Sequence, residues 1–305
     1  MTDGRLGGRA ALRKARSRIA RALGHSVARH PALEAPFVAV GRAAARGSRA
    51  LGSLYFEAHG ELLRHLTDDT RYRTLIVGGT PMKVDITDHT GRLHFFHREP
   101  YEPEVANAIA NALAPGNVFI DVGANAGLFS VLGALRVGSA GRVASFEPHP
   151  AARNAMTTLA TRNGVFDRIE ISTAAVGNHV EDKVPLYLSS DSVLSTLAPS
   201  AAPLGSDYAF DRWIDVPLTT LDEWARINPA LAGRLTAVKI DVEGAEDAVV
   251  AGMVEIFQIV RQLTVICETR LGSTADRHLR ACGFVARVLN AREDGFGNYL
   301  YQRFV

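Results

Sequence analysis

Two short runs carry the residue types that could do chemistry. The first is Asp121-Val-Gly123-Ala124-Asn125-Ala-Gly127, entered from the apolar Val118-Phe119-Ile120 and followed by Leu128-Phe129. A buried strand that breaks into a glycine turn and then a helix lets the backbone approach a ligand with no Cβ between them. Glu147 ends the next apolar run, 20 residues after Gly127, where an acid can take the two hydroxyls of an adenosine ribose. Dinucleotide sites use Gly-x-Gly-x-x-Gly, so that a helix N-terminus meets a pyrophosphate. Here the spacing is Gly-x-x-x-Gly, and Asp121 stands two residues ahead of it. A carboxylate there repels phosphate and suits the ammonium group of a bound amino acid. S-adenosylmethionine has a ribose, that ammonium group and no phosphate, so it is the expected cofactor.

The second run is Lys239-Ile-Asp241-Val-Glu243-Gly-Ala-Glu246, and Glu268 closes the apolar segment after it. Carboxylates gathered beside a bound cofactor suit a general base or a bound divalent cation. Asp241, Glu243 and Glu268 are the candidate catalytic residues, and oxygen ligands of this kind suit Mg²⁺ or Mn²⁺. A second role stays open, in which Asp241 orients the cofactor while Glu243 and Glu246 cap the following helix. His94, His97 and His149 are further candidate bases, each as readable as a strand-face or loop residue. Tyr101 and Glu104 are placed to close over the methionine end of the cofactor. Ser189, Ser190, Ser192 and Ser195 make their segment a candidate acceptor-binding lid, or a plain polar loop.

These residues need a scaffold, and the apolar periodicity supplies one. Strands are expected at Val118–Val122, Arg142–Glu147, Ile169–Thr173, Ala237–Asp241 and Leu263–Glu268, alternating with helices at Pro103–Ala114, Leu128–Leu135, Ala151–Asn163, Ala245–Val260 and Thr274–Cys282. Such alternation implies a mostly parallel sheet with helices on both faces, and ligands bind beyond the carboxyl ends of its strands. Four of those five ends carry an acid, which a core strand has no structural use for. A last pair, Val285–Leu289 and Asn298–Arg303, reads as a hairpin. The 178–220 insertion holds the strand-like Val184–Leu188 and Asp215–Leu218, then a capping box at Thr220 and Glu223. Ahead of the sheet, Tyr72–Val77, Met82–Ile86 and Leu93–Phe96 alternate with period two and read as a small β-meander.

At this point the sequence resembles the FkbM-type S-adenosylmethionine-dependent methyltransferases, from about Glu102 to Glu268. The resemblance rests on Asp121–Gly127, Phe146-Glu147-Pro148, Leu221-Asp222 and Lys239–Glu246, with Glu268 and the lead-in Glu102-Pro-Glu104 also matching. It implies an α/β, Rossmann-like class I methyltransferase fold of seven mostly parallel strands with a C-terminal antiparallel hairpin. It also implies O-methylation of a hydroxyl on a sugar, glycolipid or polyketide-type natural product. The expected cofactor-binding set is Tyr101, Asp121, Gly123, Ala124, Asn125, Gly127, Glu147, Pro148, Ala174, Ala175 and Asp241.

Of the 305 residues, 47% are hydrophobic and 22% charged, which excludes a disordered, collagen-like or disulfide-stapled chain. Charge is unevenly spread: residues 1–50 hold 11 Lys and Arg against two acids, a net of +9, and the remainder is net −7. The expected domains are therefore a basic Ala/Arg-rich arm at 1–50, helical or partly disordered, a small helix and meander at 51–100, and the methyltransferase domain at 101–305. The arm is a candidate peripheral contact for a membrane or a protein. No apolar secretory core follows its arginines, no segment reads as membrane-spanning, and Cys267 and Cys282 lack zinc spacing. A cytoplasmic enzyme is the expectation. Nucleic acid is not an expected partner, since the body is acidic and lacks the (Asp/Asn)-Pro-Pro-(Tyr/Phe) step that holds an exocyclic amine. A nucleic-acid methyltransferase and a non-catalytic partner-binding module are the alternatives.

Overall fold

The computed structural model describes residues 3–188, 195–197 and 212–303, with side chains from Leu12 onward, and elements are counted over these residues. Backbone contacts divide the chain into two compact units, one of Met1–Leu75 with Lys83–Tyr101, the other of Ile76–Met82 with Glu102–Val305.

In the first unit, α1 (Asp3–Arg29) and α2 (Glu34–Gly47) both pack on α3 (Arg49–Leu63). Small residues let the backbones close: a Cβ on Gly24 would stand 2.5 Å from the Ala58 carbonyl, and one on Gly41 2.2 Å from the Tyr55 ring. Val27, Val38, Tyr55, Leu62, Ile86 and Phe96 form the core. The basic segment expected as a separate arm is thus part of a helical unit, because its Ala20, Gly24 and Val27 face needs α3 to cover it. The meander is also corrected. Only β1 (Tyr72–Val77) and β2 (Thr80–Asp85) pair, and the third expected strand is helical, as α4 (His89–Arg92) running into a π-turn over Leu93–His97. Asp88 starts that helix by accepting from the Gly91 N–H at 2.6 Å. Coiling then turns Phe96 wholly inward, stacked on His59 at 4.5 Å between ring centres, which alternation along a strand would not achieve.

The second unit opens with α5 (Pro103–Ala112), then β3 (Val118–Val122), α6 (Leu128–Val137), β4 (Arg142–Phe146), α7 (Pro150–Arg162) and β5 (Ile169–Ser172). The insertion follows as β6 (Ala175–Val176), β7 (Glu181–Leu188), β8 (Ser195–Thr196) and β9 (Arg212–Thr219). After it come α8 (Leu221–Ile227), α9 (Pro229–Ala232), β10 (Leu235–Ile240), α10 (Glu246–Ala251), α11 (Val254–Ile259), β11 (Leu263–Arg270), α12 (Thr274–Ala281), β12 (Val285–Ala291) and β13 (Phe296–Arg303). The main sheet has the order β12-β13-β11-β10-β3-β4-β5, parallel except for β13, which runs antiparallel to β11 and β12. This is the seven-stranded sheet with a closing antiparallel strand that the resemblance implies. The chain leaves β3 toward β4 on one side and returns at β10 on the other, so the switch point lies where β3 and β10 end.

Continuous apolar stretches make these strands, as burial on both faces demands. Val118, Ile120, Val238, Ile240 and Val265 are fully buried. The insertion builds its own sheet, ordered β6-β9-β7-β8. Thr220 caps α8, accepting from the Glu223 N–H at 3.0 Å, while the Glu223 carboxylate turns to Arg226 instead of completing the box. The single helix expected over 245–260 is two. Gly252 breaks it, since a Cβ there would lie 2.2 Å from the Gly177 carbonyl.

Candidate active site

The turn after β3 holds three residues in the left-handed region: Gly123 (φ 76°), Asn125 (φ 48°) and Gly127 (φ 85°). Its Gly123 and Ala124 N–H groups donate to the Phe146 carbonyl at 3.0 and 3.1 Å. Its Asn125 N–H donates to Glu147 Oε2 at 2.7 Å, and the His149 N–H donates to Glu147 Oε1, also at 2.7 Å. Glu147 is therefore held rigidly at the end of β4, 5% exposed, and burial raises its pKa above the carboxylate norm. The glycines answer to the protein itself. A Cβ on Gly123 would lie 1.7 Å from the Asp241 carbonyl, and one on Gly127 2.3 Å from Met156.

Asp121 is not at the strand's end but inside it, fully buried. Ser130 donates to its Oδ2 at 2.6 Å, and Ser145 donates to Ser130 at 2.8 Å. The nearest cation is Lys239, in register with Asp121 on the neighbouring strand and 3.9 Å from its Oδ1. Lys239, 2% exposed, donates to Asp241 Oδ2 at 3.0 Å and lies 5.2 Å from the centre of the Phe129 ring. Burial works against its charge, but Asp241, Asp121 and Glu102 outweigh that and hold its pKa above the usual lysine value.

Beyond this ion-paired core lie the acids. Oxygens of Asp241, Glu243 and Glu268 all fall within 4.8 Å of one another, each side chain partly exposed. Burial, then the Asp241 charge, pushes the Glu243 carboxyl up to about 7. The same two causes in the same order, joined by Glu243, push Glu268 up to about 9. Glu243 sits at φ 55° in the loop after β10, and its carbonyl accepts from Thr196 Oγ1 of the insertion at 2.8 Å. Glu246 turns away, accepting from the Val242 and Gly244 N–H groups at 3.1 Å.

A model of the methyltransferase FkbM domain matches residues 121–289 of this geometry's chain, more than half of it. The chain belongs to the FkbM methyltransferase family. Among solved structures it is similar to an FkbM methyltransferase from Methylobacillus flagellatus KT, at 14% identity and a TM-score of 0.43, over 92% of this chain and 60% of that one. A SAM-dependent O-methyltransferase from Thermotoga maritima gives 11% and 0.40, over 76% and 78%. An rRNA methylase from Streptococcus thermophilus gives 12% and 0.38, over 65% and 93%. No curated protein sequence matches the chain.

In this FkbM-family chain the three candidate catalytic acids converge as the sequence suggested. Asp241 pairs with Lys239 and joins the acids, while of the two proposed helix caps Glu246 holds the loop and Glu243 does not. Glu268 does not close β11, which runs on to Arg270 because Thr269 and Arg270 keep pairing with β13. Around the first turn, Ala124 is buried, Asn125 exposed and Pro148 partly buried. Ala174 and Ala175 are buried at the start of the insertion, where Ala174 donates to Ser172 Oγ at 3.2 Å. Asp121 is buried within β3, where its Oδ1 lies 3.9 Å from Lys239 and has no hydrogen-bond partner among the described residues. Tyr101 is exposed and groups with the first unit.

Two of the three histidines have structural partners. His149 Nδ1 caps α7 by accepting from the Ala151 N–H at 3.2 Å. His94 and His97 belong to the first unit, where His97 Nε2 meets Nε2 of buried His59 at 3.2 Å. Ser189, Ser190 and Ser192 lie outside the described residues, and Ser195 is partly buried in β8. Two residues escaped the sequence reading. Lys239 stood inside a quoted motif without a role, although a lysine in a central parallel strand has to find an anion. Glu102 was passed over for Glu104, which is exposed. Glu102 sits at φ 40°, takes the Asn298 side-chain N–H at 3.1 Å, and has its other oxygen buried with no hydrogen-bond partner among the described residues.

The residues fit what the family implies. Each Glu147 oxygen accepts one backbone N–H and keeps a lone pair, which suits two ribose hydroxyls of S-adenosylmethionine. Three hard oxygen donors within 4.8 Å, two of them raised in pKa by burial and then by neighbouring carboxylates, suit a divalent cation.

Proposed function

We propose that this S-adenosylmethionine-dependent methyltransferase methylates a hydroxyl oxygen on a sugar, glycolipid or polyketide-type natural product. The observation that carries the reading is the convergence of Asp241, Glu243 and Glu268 within 4.8 Å at the carboxyl side of β10 and β11. A neutral alcohol is a weak nucleophile that must lose its proton as it is methylated, and a cluster of carboxylates serves that need.

S-adenosylmethionine, when bound, supplies a methyl group already made electrophilic by its sulfonium, and Mg²⁺ or Mn²⁺ on the three acids would lower the pKa of a hydroxyl beside it. Glu147 takes the ribose hydroxyls. Glu243, with a pKa near 7, is matched to accept a proton at neutral pH. With no cation bound, Glu268, near 9, is protonated there and donates a hydrogen bond to the acceptor; on a cation it would give up that proton and serve as an oxygen ligand. Lys239 fixes the Asp241 carboxylate by its 3.0 Å contact. Thr196 ties the insertion to the Glu243 loop, which supports its reading as the acceptor-binding lid.

Calorimetric titration with S-adenosylmethionine and, separately, NAD tests the cofactor: the first binds and the second does not. Glu147→Ala weakens that affinity by at least about tenfold, the order expected from losing hydrogen bonds to a charged group, with the circular dichroism spectrum retained. Unchanged affinity removes the ribose assignment. Release of S-adenosylhomocysteine is then followed with hydroxyl acceptors and their amine-bearing counterparts, with and without a chelator. Turnover confined to the amines overturns the O-methylation reading, and turnover indifferent to chelation overturns the metal.

A further inference from the structure

We propose that the outward face of α1 docks on the surface of an anionic lipid bilayer. Leu12, Ile19 and Leu23 fall on one side of the helix, with Ala15 and Ala22 between them. They are 73%, 51% and 40% exposed, while Ala20, Gly24 and Val27, about a quarter-turn further round the helix, are buried. Large aliphatic residues repeated on the solvent side of a helix that already has a buried face are not there for its own packing.

The charge around that stripe names the partner. From Gly4 to Leu33 the chain holds eight Lys and Arg and no acid. Arg16 pairs with Glu57 of α3. Arg13, Lys14, Arg18, Arg21 and Arg29 are exposed and have no acid partner among the described residues. Apolar side chains flanked by cations match the boundary between acyl chains and anionic headgroups, into which the leucines insert while arginine stems lie along the surface. A nucleic-acid backbone would reward the cations but leave the stripe in water, and the helix carries no Phe, Tyr or Trp to stack on bases. A second copy of the chain, packed two-fold on this face, would set two strongly cationic helices against each other. The bilayer is the one partner that uses both features. This inference does not rest on the methyl-transfer reading.

The test is co-sedimentation of the full chain with vesicles of phosphatidylcholine alone or with about one-third phosphatidylglycerol, across a range of salt. The expected result is binding to the anionic vesicles, little to the neutral ones, and weakening as salt rises. Replacing Arg13, Lys14 and Arg18 together by Gln weakens binding by about a hundredfold, roughly fivefold per cation. The Leu12→Ser, Ile19→Ser, Leu23→Ser triple variant also loses binding, although its charge is intact. All six positions are exposed, so unchanged helix content and unfolding midpoint show that the variants fold. Equal binding to neutral vesicles, or no loss in the serine variant, overturns the proposal. So does binding of an RNA duplex, or self-association on sedimentation, in place of vesicle binding.

Discussion

Lys239 lies between two carboxylates, and its removal separates packing from charge. A Lys239→Met variant fills most of the same volume but leaves Asp121 fully buried with no cation beside it. Breaking a buried pair from one side costs about 3–5 kcal/mol. The expected outcome is a loss of that order in urea denaturation at pH 7, shrinking at acid pH as the stranded carboxyl protonates. A loss below about 1 kcal/mol, the scale of an exposed pair, removes Lys239 from the ionic core. Glu268 makes the opposite kind of prediction. Its folded pKa of about 9 lies above the ordinary 4.5, so the native state binds its proton more tightly than the unfolded chain does. That contribution is complete below about pH 4.5 and is lost as the pH climbs to about 9. Glu268→Gln keeps the hydrogen-bonding shape without the charge. It raises the unfolding midpoint at pH 9 relative to the parent and flattens the slope between pH 5 and 9. An identical slope in parent and variant means that Glu268 is not the group responsible.

At the scale of elements, the β3–α6 turn and the loop after β10 hold each other. Gly123 is where they touch, both by its φ of 76° and by the 1.7 Å approach a Cβ would make to the Asp241 carbonyl. Gly123→Ala therefore costs more than left-handed backbone strain alone, about 3 kcal/mol or more. The same substitution displaces the Asp241 backbone, so S-adenosylmethionine affinity falls along with stability. A stable variant with parental affinity would show that the two loops move independently. The loop after β10 is pinned from another side by Thr196, whose hydroxyl reaches the Glu243 carbonyl at 2.8 Å. An insertion expected as a polar lid is thus tied to the acids by a small sheet of its own.

Over the whole molecule, the two units divide the work. Asp121, Glu147, Asp241, Glu243 and Glu268 all lie in the second unit, while His94, His97 and Tyr101 fall in the first. No helix among the described residues is long and apolar enough to cross a membrane. Deleting residues 1–30 strips α1 from α3 and bares Ala58 and Leu62, which are 0% and 1% exposed in the full chain. The truncated protein is expected to lose soluble yield and scatter light on warming, while its S-adenosylmethionine affinity, read by calorimetry, stays within about twofold, an energy well under 1 kcal/mol. Loss of cofactor binding would make the helical unit part of the cofactor site.

The sheet was legible because parallel strands buried on both faces are written as unbroken apolar runs, and glycine and proline mark where they stop. Asp121, Gly123, Gly127 and Glu147 were legible for a related reason: residue types that no core strand needs recur at the ends of those runs. Periodicity did not reveal that Leu93–Phe96 would coil, since four residues of alternation weigh less than a cap at Asp88 and a core waiting for Phe96. Nor could it divide the acids among tasks. Asp121, Asp241, Glu243 and Glu246 carry the same charge in the chain. Strand register gave Asp121 to Lys239, a loop turned Glu246 onto its own backbone, and only the fold brought Glu243 and Asp241 to Glu268. The types of the reacting groups are local properties of the chain. Their partners, and hence their charge states, depend on separate strands and loops being folded together, for Asp121 and Lys239 across more than a hundred residues.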